Sequence, residues 1–211
     1  MTRMRFCLAA TLLLAGAFTL PAADFTQEPS AAAPAEIPEA VKALLAAEGV
    51  QVKSGGKVVA EYWPRQAAFA GAPVSGFGIR FQTIPEGALL GVVRFAEPWK
   101  DFREQNVAAG FYTMRYVLHP EDGNHMGVAA SRDFAALVPI AAETEPAKNY
   151  VFKELVEMTK KVGNPHPTVA RLEMGGDKTP NLFADDAGHQ VLELDIAGES
   201  IGFVVEGHSE E

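Results

Sequence analysis

Cysteine is nearly absent. Cys7 is the only one in 211 residues, and it falls inside an N-terminal apolar run. Beyond that run the chain can form no disulfide, no thiolate metal site and no cysteine nucleophile. Positive charge is also scarce, at 18 lysines and arginines against 27 acids and a net charge of −9. Sequence-independent nucleic-acid binding needs a basic surface, and so does adhesion to anionic lipid, so neither is expected. No apolar run reaches the ~20 residues of a membrane span. No internal repeat and no regular βαβ alternation is visible, which argues against a solenoid, a propeller or a doubly wound sheet.

Nucleotide and nucleophile motifs are missing in all but outline. Ser54-Gly55-Gly56-Lys57 is too short for a phosphate loop, and Gly76-Phe77-Gly78 lacks the third glycine of a dinucleotide fingerprint. Gly198-Glu199-Ser200-Ile201-Gly202 has the spacing of a serine-nucleophile turn. That motif needs a strand running into a helix, whereas strand pattern flanks it on both sides.

What is present begins with Arg3 and Arg5, followed by an apolar run from Phe6 to Leu20 and by Pro21-Ala22-Ala23-Asp24. A basic start, an apolar core of about fifteen residues and small residues before a polar stretch predict a secretory signal peptide over 1–23, cut after Ala22 or Ala23. Its removal leaves 16 basic residues against 27 acids. The expected location is periplasmic or extracellular, with no stable membrane anchor after cleavage. Residues 24–36 read as a flexible linker and 37–208 as one domain.

Pro38 with Val41, Leu44 and Leu45 predicts a short N-terminal helix that docks through its apolar stripe. Period-two alternation then dominates, as in Phe77, Ile79 and Phe81 and in Tyr112, Met114, Tyr116 and Leu118. Lys53-Ser54-Gly55-Gly56 suits a hairpin turn. One longer helix is expected over 149–162, from Val151, Leu155, Met158 and Val162 at helical spacing and the Gly163-Asn164-Pro165 stop. The pattern as a whole predicts a mainly β fold, an antiparallel β-sandwich of eight to nine strands with a short N-terminal helix and one longer inserted helix; one further reading gives the 149–162 helix a structural role, plugging one open end.

The segment from Asp101 to Thr113 ends in Val107-Ala108-Ala109-Gly110-Phe111-Tyr112-Thr113. It resembles the polar turn and Val-x-x-Gly-x-Tyr-Thr pattern of secreted bacterial immunoglobulin-like sandwiches. The longer run to Val138-Pro139, with His125-Met126-Gly127 and Arg132-Asp133-Phe134, resembles a set of uncharacterised exported bacterial proteins. The resemblance implies a sandwich and secretion, and it carries over no catalytic residue.

The connection from His119 to Asp133 is overlong for a hairpin and rich in polar side chains. Its first reading is a structural loop around the Asp122-Gly123-Asn124 turn. Its second is a divalent-metal site, zinc for example, formed by His119, Glu121 and His125 with His166 or His189 adding a third nitrogen. Arg132, at its end, is a candidate binding residue. Tyr62, Trp63 and Trp99 are the aromatic candidates, either as core or as surfaces that stack on a sugar or grip a peptide. The resulting expectation is an exported binding or accessory module of the cell envelope with a protein or glycan partner, no cofactor and no catalytic constellation. The alternative is a metal-binding protein or metal-dependent enzyme.

Overall fold

Side chains that alternate between water and core put most of this backbone into strands. The computed structural model describes residues 24–101, 103–120 and 131–207. The expected signal run with Cys7 lies outside them, as do Glu121, Asp122 and His125. The strands are β1 (Phe25–Ser30), β2 (Gly49–Ser54), β3 (Lys57–Pro64), β4 (Leu89–Phe95), β5 (Trp99–Lys100), β6 (Asn106–Val107), β7 (Gly110–Leu118), β8 (Asp133–Pro139), β9 (Val169–Met174), β10 (Asn181–Ala184), β11 (Gln190–Ile196) and β12 (Glu199–Glu206). The α-helices are α1 (Glu39–Lys42) and α2 (Phe152–Thr159).

The chain is mainly β and its pairings are antiparallel, in line with the alternation. The sandwich of eight to nine strands is replaced by a single ten-stranded sheet in the order β1-β2-β3-β4-β7-β8-β9-β12-β11-β10, with β5 and β6 as a separate ribbon. The sheet curls into a near-barrel. Cα atoms of its two edge strands come within 8 Å, yet no ladder joins them. The segment read as a linker supplies β1, which pairs along its whole length with β2 from Phe25↔Ser54 to Ser30↔Gly49. A polar strand such as Phe-Thr-Gln-Glu-Pro-Ser is held by backbone bonds to its neighbour, which composition does not reveal.

The interior is one apolar cluster drawn from nearly every strand, including Tyr62, Val93, Met114, Leu137, Leu172, Leu194 and Phe203. The upper end of the near-barrel, where β3, β7 and β9 finish, is closed by the loop between β3 and β4. Ile79, Phe81 and Ile84 from this loop enter the interior cluster. Asp133, fully buried at the start of β8, holds the loop down. Its carboxylate accepts the backbone N–H of Arg80 (3.0 Å) and of Phe81 (3.3 Å), and the Tyr116 hydroxyl donates to it at 2.5 Å.

Two smaller clusters cover the outside of the sheet. Val41 and Leu45, at and just beyond α1, pack over Trp63, Leu89 and Val92, as the apolar stripe predicted. α2 lays Leu155 and Met158 on Val117, Phe134, Ala136 and Val138. It therefore covers the outer face of β7 and β8 and plugs neither end. The helix is also shorter than 149–162. It starts at Phe152, continues as a 3-10 turn over Lys160–Val162 and stops at Gly163 with φ 101°.

Under this outer layer lies a buried ion pair. Arg115, on the outward face of β7, faces Glu143 with both side chains fully buried. The guanidinium donates from Nε to Glu143 Oε2 at 2.9 Å, and Nη2 lies 2.8 Å from Glu143 Oε1. Nη1 donates to the carbonyls of Gly87 and Lys148, and Nη2 reaches that of Glu145. All five N–H groups are thus used, and the Tyr150 ring lies 4.6 Å from the guanidinium carbon. Gly87 is required where it stands: its φ is +81°, and a Cβ there would come 1.9 Å from the Tyr150 carbonyl oxygen.

Candidate functional site

Two of the metal candidates, His119 and His166, are described, and they are placed apart. His119 follows the upper end of β7, with its backbone N–H donating to the Arg132 carbonyl at 2.8 Å and its ring centroid 6.0 Å from that of Phe134. His166 is exposed below β9, where its N–H donates to Gln105 Oε1 at 3.2 Å. The length of β8, seven residues or roughly 20 Å, separates these two levels, so the two imidazoles share no ion. Glu121 and His125 lie outside the described residues. Among the described residues, no group of three or more His, Cys, Asp or Glu converges as a ligand set.

Arg132 acts as a strut. Its Nε donates to the His119 carbonyl at 2.9 Å and Nη1 to the Phe77 carbonyl at 3.3 Å, tying the loop above β3 to the top of β7. Ser200 sits in the β12 ladder, opposite Asp195, and its hydroxyl donates to Glu193 Oε1 at 2.7 Å. The turn before it is an ordinary hairpin, with Ala197 and Gly198 both at positive φ.

The aromatic candidates separate as well. Tyr62 is 3 % exposed inside the near-barrel, and burial raises its phenol pKa far above 10. Trp63 is 2 % exposed beneath α1, with Nε1 donating to the Ala31 carbonyl. Adjacent strand residues face opposite ways, which is why Tyr62 and Trp63 end in different cores. Trp99 alone is half-exposed, and it stands at the lower end of the near-barrel.

That lower end holds a cleft of about 840 Å³. Phe25, Val59 and Phe95 line it from the β1–β4 side, and His189, Gln190 and Val205 from the β11–β12 side. Trp99 bridges the two. Its ring stacks on Phe95 with centroids 4.7 Å apart and planes 6° from parallel, and its Nε1 donates to the Val205 carbonyl at 2.7 Å. The indole is therefore fixed on one face and at its nitrogen, and it still borders the cleft.

The ribbon that carries Trp99 is built around Asp101, which is 1 % exposed. Asp101 Oδ1 accepts the backbone N–H of Arg103 and Gln105, and Oδ2 accepts Gln105 Nε2 at 2.7 Å. Burial raises the Asp101 pKa, and these bonds oppose the rise. On the opposite wall, His189 is 2 % exposed, with Nδ1 2.8 Å from Asp185 Oδ2. Asp185 Oδ1 accepts the N–H groups of Ala187 and His189. Burial pushes the Asp185 pKa up, but the His189 bonds outweigh it and leave the carboxyl below its ordinary value. Ionised Asp185 can only accept, so Nδ1 of His189 carries a proton toward it.

Chemically, this arrangement offers a fixed aromatic surface, an oriented histidine and a rim of carboxylates beside a cavity large enough for a small ligand. Trp99 was recognisable from the sequence as an aromatic candidate. Asp101, Asp185 and His189 were not placed with it. Asp185 and His189, four residues apart around Ala187-Gly188, carry the local signature of an Asx turn. No known family model, curated protein or solved structure matches the chain.

Proposed function

We propose that the protein is an exported binding module of the cell envelope, and that its ligand, a glycan, seats in the cleft at the lower end of the near-barrel. The observation that carries this reading is the fixed Trp99 indole. Stacked on Phe95 and bonded to the Val205 carbonyl, it presents aromatic surface without further ordering cost. A sugar ring offers a C–H face to such a surface and hydroxyls to the Glu and Gln side chains around it. Export is supported by Arg3, Arg5 and the Phe6–Leu20 run.

Trp99 and Trp63 are the only tryptophans, and the buried Trp63 serves as an internal reference. Titration with soluble cell-wall glycan fragments should shift Trp99 emission in a saturable way. Trp99→Leu should abolish binding while Trp63 emission and the far-ultraviolet spectrum stay native-like. Fragments that bind the Trp99→Leu protein as well as the native one would remove the cleft from consideration. The export part is checked by intact mass after expression in a bacterial host, which should show a chain beginning at Ala23 or Asp24.

A further inference from the structure

We infer that the cleft selects a ligand bearing an ammonium group on a compact apolar or sugar body, a free amine or an amino sugar; this rests on reading the cleft as a binding site. Its apolar surface comes from Phe25, Phe95 and Trp99, and its charged rim from Glu97, Glu104, Glu206 and Lys100. Three carboxylates stand against one ammonium. Lys100 Nζ is turned onto a backbone oxygen, the Glu104 carbonyl, at 3.2 Å. Among the described residues, no lysine or arginine forms an ion pair with Glu97, Glu104 or Glu206. An aromatic wall of low polarity beneath a rim of net negative charge concentrates the field in the cleft and favours a cation there.

The indole adds a second attraction of the same sign. A cation held near the Trp99 ring gains from its quadrupole, which a neutral group of the same shape does not. An anion would meet three carboxylates and an aromatic face, both unfavourable. The ring and the rim therefore select for the same property, a positive charge on a body able to stack.

The test compares choline with 3,3-dimethylbutan-1-ol, its uncharged isostere, by calorimetric titration of the full protein. Choline should bind roughly tenfold tighter, the advantage a partly desolvated cation–aromatic contact gives. High salt should shrink the difference. The Glu97→Gln, Glu104→Gln, Glu206→Gln triple variant changes only exposed side chains and should fold normally. It should lose the rim's share of the preference and keep the share that Trp99 supplies. A second arm compares a glucosamine trimer with its N-acetylated form, which keeps the sugar rings and removes the charge; the free amine should win. Equal binding of choline and isostere, absence of choline binding, or a preference undiminished in the triple variant would overturn the ammonium inference. If the N-acetylated trimer still titrates Trp99 in those cases, the cleft stands as a glycan site and only the charge selectivity is wrong. If no sugar perturbs Trp99, the binding reading falls with it.

Discussion

Removing the Arg115 side chain should cost more stability than almost any other single change in this protein. Arg115→Met keeps the length and apolar bulk of the stem and deletes the guanidinium. Glu143 is then left fully buried, with only the Thr113 hydroxyl at 3.1 Å and the distant Tyr150 hydroxyl at 3.5 Å as donors. The backbone carbonyls of Gly87 and Lys148 lose the guanidinium at the same time, and that of Glu145 is left with the Lys148 N–H alone. Breaking a buried pair on one side costs about 3–5 kcal/mol. At 2–4 °C per kcal/mol for a chain of this size, Tm should fall by roughly 6–20 °C. Glu143→Gln should cost a comparable amount, because it strands the guanidinium. The double variant Arg115→Met, Glu143→Leu should be less damaged than the sum of the singles, since neither charge remains buried alone. Urea denaturation followed by circular dichroism measures all three. Single variants that each lose less than about 1 kcal/mol would show that water reaches the pair, against the burial on which the estimate rests.

Two further predictions concern the same region and the interior. Gly87→Ala places a methyl group against the Tyr150 carbonyl at a positive φ and should destabilise by about 3 kcal/mol or more. Gly55→Ala, where φ is +56° but nothing lies within 4 Å, should cost only about 1–2 kcal/mol; equal losses in the two variants would refute the close approach. At alkaline pH, the phenols of Tyr62 and Tyr116 should stay protonated until the fold is lost. Burial raises both, and in Tyr116 the hydrogen bond to Asp133 and its charge raise the pKa further. Their folded pKa values exceed the unfolded value of 10.0, so this stabilisation is complete below about pH 10 and declines above it as the unfolded chain ionises. Tyrosinate absorbance that climbs through pH 11 while the circular dichroism stays native would contradict the assignment for these two residues.

Most strands could be read from the chain because each buries one face, and alternation records a buried face directly. β7 is clear on this basis: Tyr112, Met114, Tyr116 and Leu118 all join the interior cluster. What alternation does not record is the layer opposite. An inward face packs equally well against a second sheet or against the far wall of a curled one, so two sheets were expected where one near-barrel forms. β1 and β10 were hidden for a different reason. Each is short or polar and takes its stability from the neighbour's backbone. The outer layer had a partial signal. Arg115 in an otherwise apolar strand marks a buried cation, but its partner lies 28 residues away. The cleft was less visible still, because Trp99 is fixed by a carbonyl 106 residues on. A side chain's type can suggest a site, while its neighbours depend on how the strands are ordered in the sheet.

The unjoined seam of the near-barrel has a consequence for how molecules meet in a crowded compartment. An open sheet leaves two rows of amide and carbonyl groups that can recruit a neighbouring chain. Here the two edges approach each other within 8 Å between Cα atoms, whereas a strand inserted between them needs about 9.5 Å. Pro29 interrupts the donor row of β1, and Pro180 stands just ahead of β10. Each edge therefore screens the other from strangers, and the fold resists edge-to-edge polymerisation without the closing ladder of a true barrel.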